Sequence, residues 1–252
     1  MPANLIYIIF FTLIGSVFSL AGGALLLIRK ELALKISHFL AAFAAGTLLG
    51  TAFFDLLPEA VEFESEIDIF AWAISGMLIF FILERLIHWF HHHHHSNHAE
   101  SEASPTVPLI VLGDSLHNFI DGVVIAATFL VSFPLGVITT FAVAAHEIPQ
   151  EIGDFGVLLN KGLSRLKVLQ LNFLSALTAL IGALLAYILG SSLGELLPAL
   201  LALTAGFFIY IAASDLIPEI HHKNNDRFAF FETVLLMLGV FIVWFFVHLL
   251  EG

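Results

Sequence analysis

Apolar runs of about 20 residues recur along almost the whole chain, separated by short polar stretches. Each is long enough to cross the roughly 30 Å hydrocarbon core of a bilayer as a helix. The pattern predicts eight membrane spans, at about 4–28, 36–57, 69–90, 107–131, 134–159, 166–190, 197–219 and 229–250. The fold class is therefore an all-α polytopic membrane protein, with residues 1–252 forming a single transmembrane domain. The first run, from about Leu5 to Ile28, lacks a basic leading region and a small-residue cleavage site. It reads as the first span rather than as a removed signal peptide.

Charge gives these spans a direction. Arg29, Lys30 and Lys35 fall between spans one and two, and Arg85 lies near the end of span three. Lys161, Arg165 and Lys167 lie between spans five and six, and Lys223 and Arg227 between seven and eight. All fall on one side, which the positive-inside rule makes cytoplasmic, so both termini are expected outside. Glu59, Glu62, Glu64, Glu66, Asp68 and Glu195 collect on the other side. An acidic rim concentrates cations at low ionic strength, although the loop alone reads as an ordinary solvated segment.

Composition changes the picture in two places. With no cysteine among 252 residues, disulfides and thiolate metal ligands are excluded. A net charge of -12 argues against a nucleic-acid partner. The one distinctive loop, at 91–106 on the cytoplasmic side, begins "HHHHHSNHAESEASP" and is expected to be disordered. Its histidines, His91, His92, His93, His94 and His95 with His98 beyond them, suit weak and adaptable metal binding.

An internal repeat is also visible. Span two ends in "FFDLLPEA" and span seven in "ASDLIPEI", so Asp-Leu-x-Pro-Glu occurs at Asp55–Glu59 and again at Asp215–Glu219. Weaker echoes pair "TLIGSVF" of span one with "ALIGALL" of span six, and "GMLIFFI" of span three with "GVFIVWF" of span eight. Spans one to three thus resemble six to eight, in a three-plus-two-plus-three arrangement. Span two runs outward and span seven inward, which makes the repeat inverted, as in secondary transporters with midplane sites. Asp55 on one side, and Asp215 with Glu219 on the other, would then mark opposite mouths of a pathway. Helix ends at an interface would also explain acids and prolines there.

The central spans carry the chemistry: "GDSLHNFIDGVVIAATF" in span four and "FAVAAHEIPQEIGDF" in span five. Residues three or four apart share a helix face, so His117 aligns with Asp121, and Asn118 lies on an adjoining edge. His146 aligns with Gln150 in the same way, and Glu147 flanks them. A tight hairpin near Ser132–Phe133 leaves both histidines close to mid-bilayer, about one turn apart in depth. An aspartate at a helix centre costs about 2.5–3.5 kcal/mol on insertion scales, so such groups need compensation. A divalent cation supplies it, and imidazole with carboxylate suits Zn²⁺ and neighbouring transition ions. Interhelical polar contact is the simpler alternative. Pro149 cannot bond the carbonyl of Ala145, so a kink that frees this carbonyl is expected. Ala142, Ala144 and Ala145 allow close helix approach. Glu151 and Asp154 should point further round and deeper.

"HNFIDG" and "HEIPQEIGDF" closely resemble the paired signatures of the ZIP family of divalent metal transporters, and the likeness extends over the whole chain. The resemblance implies metal uptake into the cytoplasm by alternating access across a plasma or inner membrane. It implies a first metal position at His117, Asp121, His146 and Gln150. A second position is implied at Asn118 and Glu147, with Asp121 shared. It makes Asp55 an entrance, and Asp215 and Glu219 an exit. "QLNFLSAL" in span six also resembles the family and brings Gln170 and Asn172 near the pathway. Zn²⁺ is the expected cargo, and Fe²⁺, Mn²⁺ and Cd²⁺ suit the same ligands. Partners are then divalent ions and the lipid bilayer, with a homodimer compatible with the chain. An elevator-like motion would take the two repeats as one body, and spans four and five with their partners as the other. The chain resembles a minimal prokaryotic-type member of the histidine-rich branch, but has Gln150 where the pattern HEIPHE has histidine. An amide oxygen is the weaker ligand there.

Two other functions use the same residues. "HEIPQ" resembles the HExxH pattern of zinc hydrolases, but Gln150 replaces the second histidine and Pro149 disturbs its spacing. Metal export needs only the opposite direction of flow.

Overall fold

The computed structural model describes residues 5–63, 65–92, 106–190, 194–221 and 226–251, which are helical apart from short connections such as 65–68 and 161–164. Helix α1 spans Leu5–Val17 and α2 Leu20–Ile28, together filling the first expected span. Helix α3 (Lys30–Thr51) passes through a π-helical turn at Ala52–Leu56 into α4 (Leu57–Glu62). Next come α5 (Ile69–His92), α6 (Thr106–Val131) and α7 (Phe133–Asn160). Helices α8 (Arg165–Ala176) and α9 (Thr178–Leu189) share the sixth expected span. Helix α10 (Leu197–Tyr210) enters a second π-helical turn at Ile211–Leu216, followed by α11 (Ile217–His221) and α12 (Asp226–Glu251). His93, His94, His95 and His98 of the expected loop lie outside the described residues, as do the side chains of His91, His92 and Glu219.

Among the described residues, seven helical stretches are long and apolar enough to cross a membrane. Helix α7 is not one of them, although it is 28 residues long. Its C-terminal half carries His146, Glu147, Gln150, Glu151 and Asp154, so the segment expected as the fifth span is the one richest in chemistry. Its start is sharply defined. Ser132 is extended, its side chain accepts the Leu135 backbone N–H at 3.2 Å, and Pro134 occupies the first turn. This N-cap turns the chain straight from α6 into α7. The helix runs on through Pro149, whose missing N–H leaves the Ala145 carbonyl without its usual backbone donor. Proline removes one backbone bond, and neighbouring helices can hold the remainder in place.

The repeat seen in sequence has a structural counterpart. Both Asp-Leu-x-Pro-Glu motifs ride on π turns, where the Leu57 N–H reaches back to the Ala52 carbonyl and the Ile217 N–H to that of Ala212. Such single-turn π segments recur at functional sites. Nine residues before each aspartate stands a glycine at a tight helix crossing. A Cβ on Gly46 would stand 2.0 Å from the Leu236 carbonyl oxygen, and one on Gly206 2.0 Å from that of Ala73. The partners reciprocate, with Gly239 against Phe43 and Gly76 against Leu203. Small residues at such points let backbones touch, the usual means of joining helices in lipid.

These crossings pair α3 with α12 and α5 with α10, so each pair takes one helix from either repeat. Helices α1 and α2 pack on α7, while α8 and α9 pack on α6. By packing, α1, α2, α8 and α9 form a group around α6 and α7, and α3, α5, α10 and α12 form a second group. The groups meet where α3 lies along α7, and Ala41, Ala44, Ala45 and Leu48 are fully buried. Large apolar side chains face outward, among them Phe241, Phe245 and Phe246 on α12 and Leu78, Phe81 and Ile82 on α5. A surface of this kind suits hydrocarbon.

Candidate metal site

The hairpin of α6 and α7 brings four side chains to one point. His117 Nε2 and His146 Nε2 stand 3.1 Å apart. Asp121 Oδ2 is 3.4 Å from His146 Nε2 and 3.8 Å from His117 Nε2. Glu147 Oε1 is 3.4 Å from His117 Nε2 and 3.9 Å from His146 Nε2. One ligand atom from each of the four lies within 4.8 Å of all the others. A tetrahedral Zn²⁺ with bonds of about 2.0–2.1 Å separates its ligands by about 3.3 Å, so the spacings span the required value.

Protonation is directed too. His146 Nδ1 lies 3.1 Å from the Ala142 carbonyl, one turn back on α7. A proton held there leaves Nε2 as the lone-pair nitrogen, the arrangement found behind metal-bound imidazoles. His146 and Glu147 are 1% and 0% exposed, and Asp121 is 3%. Asp121 Oδ2 and both Glu147 oxygens have no hydrogen-bond partner. Buried acceptors left unsatisfied are costly, and a polar network held together for its own sake would avoid them. A cation resolves all of them together.

The remaining expected residues are distributed around this point. Gln150 lines a cavity of about 640 Å³ that begins at His117 and His146. The cavity runs past Pro149 and Asp154 to Asp215, with Ser37 and His38 of α3 on its wall. It therefore leads toward the bundle end that carries Arg29, Lys161 and Arg165. Asp215 is exposed there, whereas its counterpart Asp55 is only 2% exposed at the other end. The cavity thus joins the cluster to the exposed Asp215, while Asp55 is enclosed by its neighbours.

Asn118 is fully buried beside the cluster, its amide nitrogen donating to the Asp114 carbonyl at 3.1 Å and to Asp114 Oδ1 at 2.9 Å. Its Oδ1 has no partner, and neither do the oxygens of Glu151, one turn beyond Glu147 and 1% exposed. Asn172 is buried on α8 and bonds the Val168 carbonyl of its own helix at 2.9 Å. Gln170 lies on the exposed face of α8, away from the cluster.

Sequence reasoning passed over two acids. Asp114 lines the cavity, orients Asn118, and accepts a hydrogen bond from Ser175 of α8. Its spacing of four from Asn118 and seven from Asp121 was the available signal. Glu84 of α5 also lines the cavity, and accepts from the Tyr210 hydroxyl at 2.5 Å. Its signal was a lone glutamate inside an apolar span.

Comparison with known proteins agrees with this geometry. The family model described as ZIP Zinc transporter matches residues 3–109 and 104–246. The chain belongs to the ZIP family. "Zinc transporter ZIP13" of Pongo abelii is 32% identical over 219 residues, covering 81% of this chain and 65% of that protein. The Mus musculus protein of the same name is 30% identical over 247 residues, covering 81% of this chain and 68% of its own. "Zinc transporter ZIP4" of Homo sapiens is 44% identical over 119 residues, which are 47% of this chain and 18% of that protein. The chain thus spans about two thirds or less of the length of these ZIP relatives.

Proposed function

We propose that this ZIP-family chain carries divalent transition metal, with Zn²⁺ the leading cargo, into the cytoplasm by alternating access. The observation that carries the reading is the four-ligand cluster of His117, Asp121, His146 and Glu147 at the inner end of a cavity. Ligands alone would serve a store or a sensor, whereas a cavity that joins them to the exposed Asp215 gives the ion a way out. The relatives are named as zinc transporters, which supports the cargo and argues against an enzyme.

Eight spans in an inverted three-plus-two-plus-three arrangement, with both termini outside, fit the paired π turns and the one-sided basic residues. On that orientation the cavity faces the cytoplasm and the conformation is inward-open. Metal enters by Asp55 when the groups around α3 and α7 rearrange, and is held by the two imidazoles with Asp121. It leaves past Gln150, Asp154 and Asp215. Gln150, one turn from His146 on the cavity wall, completes the first position with an amide oxygen. Glu147, a member of the four-ligand cluster, also borders a second position with Asn118 and the shared Asp121, and the unpartnered Glu151 extends it. A homodimer in a plasma or inner membrane is compatible with this arrangement.

Flux into proteoliposomes tests the proposal. Radiolabelled Zn²⁺ should accumulate with the intact chain and fall to the protein-free rate with His117→Ala or His146→Ala. Equal flux in those variants would sink the assignment. Export would show as loss of preloaded metal through right-side-out protein.

A further inference from the structure

A second cavity, of about 770 Å³, lies on the far side of α6 from the metal cluster. Its walls are Val107, Pro108, Val111 and Leu112 of α6, facing Leu163 and Leu171 across the gap. Lys161 and Lys167 stand at its rim, on and beside the turn that joins α7 to α8. Helix α6 thus presents residues 107, 108, 111, 112 and 115 to this groove and residues 110, 113, 114, 117 and 120 to the metal cavity.

Charge and shape both select the occupant. From Phe155 to Leu171 the chain has three basic residues and no acidic one, although its net charge is -12. Both lysines are exposed, and among the described residues no carboxylate pairs with either. The first turn of α8, capped by Ser164, adds the positive end of a helix dipole at the same place. Below the rim the apolar walls continue for about 12 Å along α6, from Val107 to Ser115 at 1.5 Å per residue. A soluble anion would match the lysines and waste the groove, and a neutral lipid would do the reverse.

We propose that this groove binds an anionic phospholipid, with its phosphodiester between Lys161 and Lys167 and one acyl chain lying along α6. Basic pockets between helices at the cytoplasmic face are suited to acidic headgroups, which that leaflet supplies. The lipid touches the helix that carries His117 and Asp121 on its other face. It braces α6 against α8, beside the contacts that Ser175 makes with Asp114 and Thr178 with the Ser115 carbonyl.

The test is native mass spectrometry of the full chain, released from micelles holding equal phosphatidylglycerol and phosphatidylcholine. The intact protein should retain phosphatidylglycerol on the order of tenfold more often, and Lys161→Gln/Lys167→Gln should lose this preference. Val111→Phe, which fills the groove but leaves the lysines, should lower retention of the same lipid. Circular dichroism, which reads the helix content of the whole chain, and Zn²⁺ binding, which reads the opposite face of α6, should stay unchanged in both variants. Equal retention of the two lipids by the intact protein would overturn the proposal. So would an undiminished preference in either folded variant, or displacement of the lipid by millimolar inorganic phosphate.

Discussion

Asp121→Asn separates metal binding from stability, because metal binding should fall while metal-free stability does not. Asp121 is nearly inaccessible and its Oδ2 lies close to both imidazoles and to the Glu147 carboxylate. The substitution keeps the shape and removes one negative charge. Hydrogen bonds and contacts to charged groups are worth about 1.5–3 kcal/mol net, so Zn²⁺ affinity should fall by roughly 10- to 100-fold. At a concentration 100 times the original Kd, bound metal stabilises the native chain by about 2.7 kcal/mol. A 30-fold weaker site at the same concentration retains only about 0.9 kcal/mol of that stabilisation. The metal-free variant, however, loses a buried carboxylate crowded by Glu147, and should melt no lower than the parent. Thermal unfolding in detergent with and without Zn²⁺, paired with calorimetry, reads both quantities. Unchanged affinity would refute the assignment of Asp121 as ligand. A metal-free variant destabilised by the same amount would mean that the cluster is a structural polar network.

Two further outcomes follow from the same coordinates. Gly206→Ala should lower the melting midpoint and the folded yield, since its Cβ would meet the Ala73 carbonyl oxygen at 2.0 Å and overpacking costs about 1–3 kcal/mol or more. Gly153→Ala, with nothing within 4 Å of the added atom, should not destabilise; equal behaviour of the two would contradict the tight α5–α10 crossing. Gln150→His should tighten Zn²⁺ binding, because imidazole is the better ligand and residue 150 follows His146 by one turn on the cavity wall. Weaker or unchanged binding in calorimetry would place residue 150 outside the first position.

Much of this was legible before any coordinates. The spacing of His117 to Asp121 and the adjacency of His146 and Glu147 specify helix faces, and the hairpin at Ser132 brings the faces together. The recurrence of Asp-Leu-x-Pro-Glu was also readable from sequence alone, and both copies fall on π turns. What sequence could not give was partnership between helices. Gly46 and Gly239 are ordinary glycines until the crossing of α3 and α12 is known, and the division into two mixed groups depends on that crossing. Asp114 was hidden for a related reason: its role comes from a bond to Asn118 and another to Ser175, 61 positions away. The π turns at Asp55 and Asp215 have no local signature beyond the proline that follows.

The central claim is that two imidazoles and at least one carboxylate hold the metal midway along the path. Zinc K-edge X-ray absorption of the loaded, purified chain tests this most directly. It should show nitrogen and oxygen ligands at about 2.0–2.1 Å, with the outer-shell scattering of two imidazoles that drops to one in His146→Ala. Bound zinc without imidazole scattering, or a spectrum unchanged by His146→Ala, would contradict it.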